Sequence, residues 1–263
     1  AFGPAGAEPL QKLLRENKNI EVLKLNNNGL GIEGARLISE ALVDSALSSK
    51  ADGKPTNLRV VVIGRNRMES PGASHLAKAW KAHSDSLEVI RMPQNSIRPE
   101  GIDICDCKNL KHIDLQDNTF TEKGSVALAK ALKEWKDLEI LNVSDCLLSA
   151  KGGISVLNAL VGSHDKLQTL LLQFNEIDID GAKIIPEVIK NKPLLSLLEL
   201  NGNEFDPDHQ IVEDIKDALA EQGKDDALDE LDEMEWEPES EEENEEEDED
   251  IDELTKGVKK ISV

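Results

Sequence analysis

The chain has 263 residues, of which 39% are hydrophobic, enough for one large core or an extended array, yet aromatics are only 3% and tyrosine is absent. Its formal net charge of −23 is localised: residues 225–254 hold 20 of the 53 acidic side chains and no Lys or Arg, leaving 33 acids against 30 bases elsewhere. No stretch approaches the roughly 20 apolar residues of a membrane span, and no signal peptide is visible, so no membrane partner is expected; a nucleic-acid partner is not expected either.

Self-similarity organises the body. In chain order, a leucine-strand pattern recurs as LKLNNN (23–28), VVIGRN (61–66), IRMPQN (90–95), IDLQDN (113–118), LNVSDC (141–146), LLLQFN (170–175) and LELNGN (198–203). The closing positions are Asn28, Asn66, Asn95, Asn118, Cys146, Asn175 and Asn203, spaced by 38, 29, 23, 28, 29 and 28 residues. This is a leucine-rich repeat with a unit of 28–29 residues. The 38-residue unit carries a polar insertion, SSKADGKPTN, expected as a surface loop, and the 23-residue unit has lost most of its helix at GIDICDC. Glycine follows six residues after the closing position at Gly34, Gly72, Gly101, Gly124, Gly152 and Gly181, and mostly opens a helical pattern such as GSVALAKAL. There, Val126, Leu128, Ala129 and Leu132 are expected on one helical face.

Each unit therefore reads as strand, turn, helix, return. The expected fold class is α/β: a leucine-rich-repeat solenoid, ribonuclease-inhibitor-like in unit length, with a parallel sheet on the concave side and helices on the convex side. It is expected over residues 1–224, followed by a largely disordered acidic tail over 225–263. The run 237–253 repels itself and cannot bury enough apolar surface to offset chain entropy, whereas LDELDEM before it leaves room for a short helix. Cys105, Cys107 and Cys146 lack zinc-ligand spacing and are expected as reduced thiols.

Within LKLNNN, a period of two turns Leu23 and Leu25 inward and Lys24 and Asn26 outward onto the concave face. Asn28 follows the bend, where its amide is suited to satisfy buried backbone groups of the adjacent turn, and Asn66, Asn95, Asn118, Asn175 and Asn203 repeat that ladder role. Cys146 is the small buried equivalent. The row one residue earlier, Asn27, Arg65, Gln94, Asp117, Asp145, Phe174 and Gly202, lies on the rim. A structural ladder would hold one residue type there. The variety points to a surface read by a partner, against the plainer alternative of mere solvation.

No phosphate-binding glycine loop, nucleophile elbow or His-Glu metal pair is present, and the five histidines are scattered. An autonomous active site is therefore not expected.

The segments AFGPAGAEPL, LNNNGLG, GRNRME, MPQNSIRPEG, LQDNTFTEKGSVALA, SDCLLSAKG, LELNGNEF and LDELDEM together resemble the leucine-rich-repeat GTPase-activating proteins of the small GTPase Ran (RanGAP), most of all the fungal form. The resemblance covers residues 1 to about 234 and reaches rim residues as well as leucines. It implies stimulation of GTP hydrolysis on Ran in trans without an arginine finger, in support of nucleocytoplasmic transport. It maps onto Asn27 the asparagine that holds Ran's own catalytic glutamine against the attacking water. Arg65 and Arg67, with Gln94, Asp117 and Asp145, are then Ran-binding. GTP and Mg²⁺ would belong to Ran, so no cofactor is expected on this chain.

The implied partner is Ran in its GTP form, alone or with a Ran-binding protein, and a cytoplasmic monomer, at most near the nuclear periphery, is expected. AFGPAG resembles the second half of a family repeat, so a shortened N-terminus is also expected. The acidic tail is open to a solubilising role or to long-range attraction of a basic partner. Two binding-module alternatives share features of the chain: a ribonuclease-inhibitor-like protein and an acidic histone-binding leucine-rich-repeat protein.

Overall fold

The computed structural model describes residues 2–101 and 107–236. Seven three-residue strands, β1 (Val22–Lys24), β2 (Val60–Val62), β3 (Val89–Arg91), β4 (His112–Asp114), β5 (Ile140–Asn142), β6 (Thr169–Leu171) and β7 (Leu197–Glu199), form one parallel sheet in chain order. Their central residues stack in register from Leu23 through Val61, Ile90, Ile113, Leu141 and Leu170 to Leu198. All are buried, so each repeat covers the apolar face of the last.

The outer layer consists of α1 (Ala7–Glu16), α2 (Gly31–Ala51), α3 (Glu69–Ala82), α4 (Thr121–Leu132), α5 (Ser149–Leu160), α6 (Ile179–Ala182), α7 (Ile185–Lys190) and α8 (Gln210–Ala220). Four-residue spacing puts Ile38 and Leu42, Leu76 and Trp80, Leu128 and Leu132, and Val156 and Leu160 inward, all buried. The recurrent glycine marks where neighbouring helices touch. A Cβ on Gly72 would lie 2.8 Å from Met68 Cβ and 3.2 Å from Ala35 Cβ.

Several expectations are corrected. Val126 is exposed; Ser125 takes the inward place instead, its hydroxyl donating 2.7 Å to the Thr121 carbonyl inside α4. The start of SSKADGKPTN is not loop but the end of α2, because Ser49 is buried and Asp52, just past the helix, pairs with Lys18 at 2.8 Å. Cys107 is disulfide-bonded rather than a free thiol, a state that spacing alone does not address; Cys146 is a buried free thiol and Cys105 lies outside the described residues. In the short unit, Pro99–Gly101 forms one 3-10 turn against α3 and α4, and the rest of that segment up to residue 106 lies outside the described residues.

The boundary expected at 224 also moves. LDELDEM forms no helix but runs along the last strand, with Leu228, Leu231 and Met234 against the core. Leu198 N–H donates to the Ala227 carbonyl at 2.7 Å, and the Asp229 carboxylate accepts from Leu200 N–H at 2.8 Å and Asn201 N–H at 3.1 Å. An exposed edge has orphan amides, and this segment satisfies them, so the folded unit extends through the described residues to 236. The expected disordered stretch, 237–253, lies outside the described residues.

The bends are joined by side-chain amides. Asn95 Nδ2 donates to the Ile63, Met92 and Pro93 carbonyls at 3.1, 3.1 and 3.3 Å, while its Oδ1 accepts Asn66 N–H at 2.9 Å. Asn66, Asn118, Asn175 and Asn203 repeat the pattern across neighbouring turns, and the half-buried Asn28 begins it. Cys146 occupies the same slot, its thiol meeting the Leu115 carbonyl at 3.2 Å, and burial pushes its pKa far up. Removing one amide leaves buried backbone groups without partners, each costing about 1–3 kcal/mol. Asn95→Ala should therefore lower the unfolding free energy by at least about 2 kcal/mol, measured by urea titration.

A second row closes the helices. His83 Nε2 meets the Leu42 carbonyl at 3.0 Å, His164 Nε2 the Leu132 carbonyl at 2.9 Å, and the buried Lys192 Nζ donates to the Leu160 and Ser163 carbonyls at 2.8 and 2.6 Å. The Leu132 and Leu160 carbonyls end α4 and α5 and the Ser163 carbonyl lies in the turn after α5, where helix carbonyls lack an intrahelical partner, whereas the Leu42 carbonyl lies inside α2. Burial pulls the Lys192 ammonium down to about 8 and both imidazoles below their ordinary 6.5. His83 Nδ1 has no partner for a second proton. The folded chain therefore resists protonation that the unfolded chain accepts, and this stabilisation, present above pH 6.5, is lost as pH falls. His83→Gln combined with His164→Gln should flatten the decline of melting temperature below pH 6.5 relative to wild type.

Candidate functional site

The rim is built by the chain leaving each strand and turning sharply back. Asn27, Arg65, Gln94, Asp117, Asp145 and Phe174 all have φ between 52° and 60°, and Gly202 has φ 70°. This left-handed conformation is natural for Gly and tolerable for Asn and Asp, but costs other residues roughly 1–2 kcal/mol. The diverse row thus shares one backbone geometry, held by hydrogen bonds to the next repeat. Asn27 N–H donates to the Gly64 carbonyl at 3.1 Å, Arg65 N–H to Pro93 at 2.9 Å, and Asp145 N–H to Gln173 at 2.8 Å.

The asparagines in the first bend have separate surroundings. Asn26 faces the concave side, and its Oδ1 accepts Gly64 N–H at 2.6 Å, a tie to the next repeat that the sequence pattern does not show. Asn28 Nδ2 turns inward to the Leu25 and Asn26 carbonyls at 2.9 and 3.1 Å. Between them Asn27 is exposed, and its side chain has no hydrogen-bond partner among the described residues. An amide there offers two donors and an acceptor to an incoming molecule.

Arg65 and Arg67 are exposed in the next bend; Arg65 Nε donates to Gln94 Oε1, whereas Arg67 is unpaired among the described residues. Gln94, which accepts that bond, is half-buried. Asp117 and Asp145 stand in the β4 and β5 bends, away from Asn27. Burial, then the Asp117 charge, raises the Asp145 carboxyl above its ordinary range. The rim consequently has a polarity: an amide and cations at one end, carboxylates toward the other.

Leu147 and Glu176, absent from the sequence expectation, share that far end with Phe174, each two residues beyond a rim residue and also left-handed, with φ 52° and 57°. A second alternation along the bend was the available signal. Across the concave face, Arg91 Nε pairs with the buried Asp114 carboxylate at 3.0 Å. Among the described residues, no group of three or more His, Cys, Asp or Glu is placed to hold a metal, and no helix is long and apolar enough to cross a membrane.

Comparison with known sequences places this geometry among relatives. A leucine-rich-repeat profile matches residues 16–39 and 106–129. Ran GTPase-activating protein 1 of Saccharomyces cerevisiae is 38% identical over 81% of this chain and 55% of its own length. The Ran GTPase-activating protein of Drosophila melanogaster is 30% identical over 78% of this chain and 35% of its own. Mouse ribonuclease inhibitor is 26% identical over 70% of this chain and 45% of its own. The chain thus spans about half the length of the yeast relative and about a third of the fly one.

The backbone geometry makes a stability prediction independent of any partner. Arg67 has φ 53° and no ion pair among the described residues. Arg67→Asn substitutes a residue that tolerates this conformation and should raise the unfolding free energy by about 0.5 kcal/mol in urea; a fall would show that the arginine holds the rim together.

Proposed function

The chain belongs to the leucine-rich-repeat family of Ran GTPase-activating proteins, and from that premise we propose that it stimulates GTP hydrolysis on Ran by presenting the Asn27 amide to Ran's catalytic glutamine. The observation that carries the proposal is the state of Asn27: exposed, without a side-chain partner among the described residues, and fixed in the backbone by its own bend and the next repeat. An amide hydrogen-bonded to another amide fixes its orientation, and a water-positioning glutamine so fixed loses less entropy on reaching the transition state. Asn27 carries no charge and cannot neutralise the transferring phosphoryl group. The acceleration then comes from orientation, exclusion of water and ordering of the partner's switch segments.

Arg65 and Arg67 stand in the next bend along the rim, and a cation at that place is the natural candidate for an arginine finger. Against that role, Arg65 is engaged with Gln94 along the rim rather than projecting alone. Both arginines, with Gln94, are assigned to binding Ran in its GTP form, and Asp117 and Asp145 to contacts with basic residues farther along it. The chain itself holds neither nucleotide nor Mg²⁺ in this scheme, and its role is to support nucleocytoplasmic transport from the cytoplasm.

Two substitutions test the scheme because Ala at φ 60° adds backbone strain that Gly does not. In single-turnover hydrolysis by Ran·GTP, Asn27→Ala and Asn27→Gly should both slow the stimulated rate by about 10²-fold or more, the scale of losing one preorganised donor. An unchanged rate in either would remove Asn27 from the mechanism. Arg65→Ala and Arg67→Ala should raise KM and leave most of kcat, whereas loss of about 10³-fold or more in kcat would restore the finger.

A further inference from the structure

Four carboxylates, Asp145, Glu176, Glu204 and Glu235, surround a groove of about 400 Å³ at the far end of the rim, whose remaining lining is Leu147, Phe174 and Gly202. Leu147 and Phe174 are each 40% exposed, unusual for large apolar side chains in a chain with so few aromatics. The Phe174 ring lies directly on Gly202: a Cβ there would meet ring carbons at 2.1–2.8 Å. Glycine thus provides the flat floor on which the ring rests. No lysine or arginine pairs with any of the four acids among the described residues. Burial raises the Glu204 carboxyl, and Glu176, Glu235 and Asp178 raise it further, so like charges are held together without a counter-ion.

We propose that this groove docks a basic amphipathic segment of the same GTP-bound partner, a lysine or arginine whose methylene stem lies on Phe174 and Leu147 and whose cationic end enters the carboxylate ring. The proposal rests on the functional reading above and adds a second contact to it. Charge complementarity selects the occupant: an acidic segment would be repelled, and a purely apolar one would desolvate four carboxylates without pairing them. A cation over an aromatic face, with its stem on apolar surface, satisfies both parts of the lining. Reach is consistent with a single partner. The β1 and β6 bends are five strand spacings apart, about 24 Å, within the roughly 30 Å diameter of a small domain.

The experiment is calorimetric binding of Ran loaded with a non-hydrolysable GTP analogue, alongside stimulated hydrolysis, using the full chain, Phe174→Ala, the Glu176→Gln/Glu204→Gln pair and Gly202→Ala. All substituted side chains but Gly202 are exposed, so the first two variants are expected to fold, and Leu47→Ser on the convex helix α2 serves as a remote control. Phe174→Ala and the Glu pair should each weaken Kd about tenfold, with the loss in KM rather than kcat, and the Glu pair should also reduce the dependence of Kd on salt. Gly202→Ala should weaken Kd by displacing the ring, with its fold checked by circular dichroism. Unchanged Kd and salt dependence in both Phe174→Ala and the Glu pair, with hydrolysis still stimulated, overturns this docking site and leaves the Asn27 reading standing. Absence of binding by the unsubstituted chain overturns both.

Discussion

The bend after each strand is the constraint on which the molecule depends. Strands of three residues offer little pairing of their own, and at every bend the chain must bury backbone carbonyls and amides that no strand partner can reach. A side-chain amide solves this because it carries two donors and an acceptor in one planar group. Asn66 shows the economy of the arrangement: its Nδ2 serves carbonyls in its own and the preceding repeat, while its Oδ1 accepts Asn28 N–H and Leu30 N–H. The hydrophobic stack gives the repeats a reason to associate. The amide ladder gives them one register.

The rim follows from the same bend. Where the ladder residue points inward, the residue before it is forced into a left-handed backbone, with its side chain toward solvent. Glycine or asparagine at every repeat would fit that conformation with least strain. Arg65, Gln94 and Phe174 do not, and their presence costs local free energy that the folded stack must absorb. At Asn27 the backbone preference and the proposed chemical use coincide, since asparagine both tolerates the conformation and presents an amide.

Much of this architecture was legible in the sequence because it rests on periodicity. The leucine alternation, the closing asparagines and the glycine six residues later are local patterns that report a shared geometry directly. The left-handed rim was hidden, because Arg, Gln and Phe do not advertise a positive φ. The end cap was hidden for a different reason: the three-residue spacing of Leu228, Leu231 and Met234 admits a helix, and only the unsatisfied edge of β7 makes an extended course preferable. Val126 failed in a third way, since a helical face drawn from apolar residues alone excluded Ser125, which is buried by bonding its own helix. The amide of Asn27 is visible in the sequence, but its lack of a side-chain partner among the described residues is a property of the fold.

Placement of that amide is not the work of its own repeat. Asn27 N–H is held by Gly64, Asn26 Oδ1 accepts Gly64 N–H, and the following Asn28 N–H is held by Asn66 Oδ1. All three ties come from the β2 bend. The side chain presented at one repeat is therefore oriented by the next, and Asn66, though buried, helps to hold the bend that presents Asn27. A solenoid transmits order mainly between nearest neighbours. For Asn27 the decisive neighbour lies on the C-terminal side, where Gly64 is held close to Pro93: a Cβ at Gly64 would lie 2.8 Å from Pro93 Cγ. If Asn27 acts as proposed, the precision needed to orient another protein's side chain resides in the packing of β2 against β3 rather than in the exposed edge of β1.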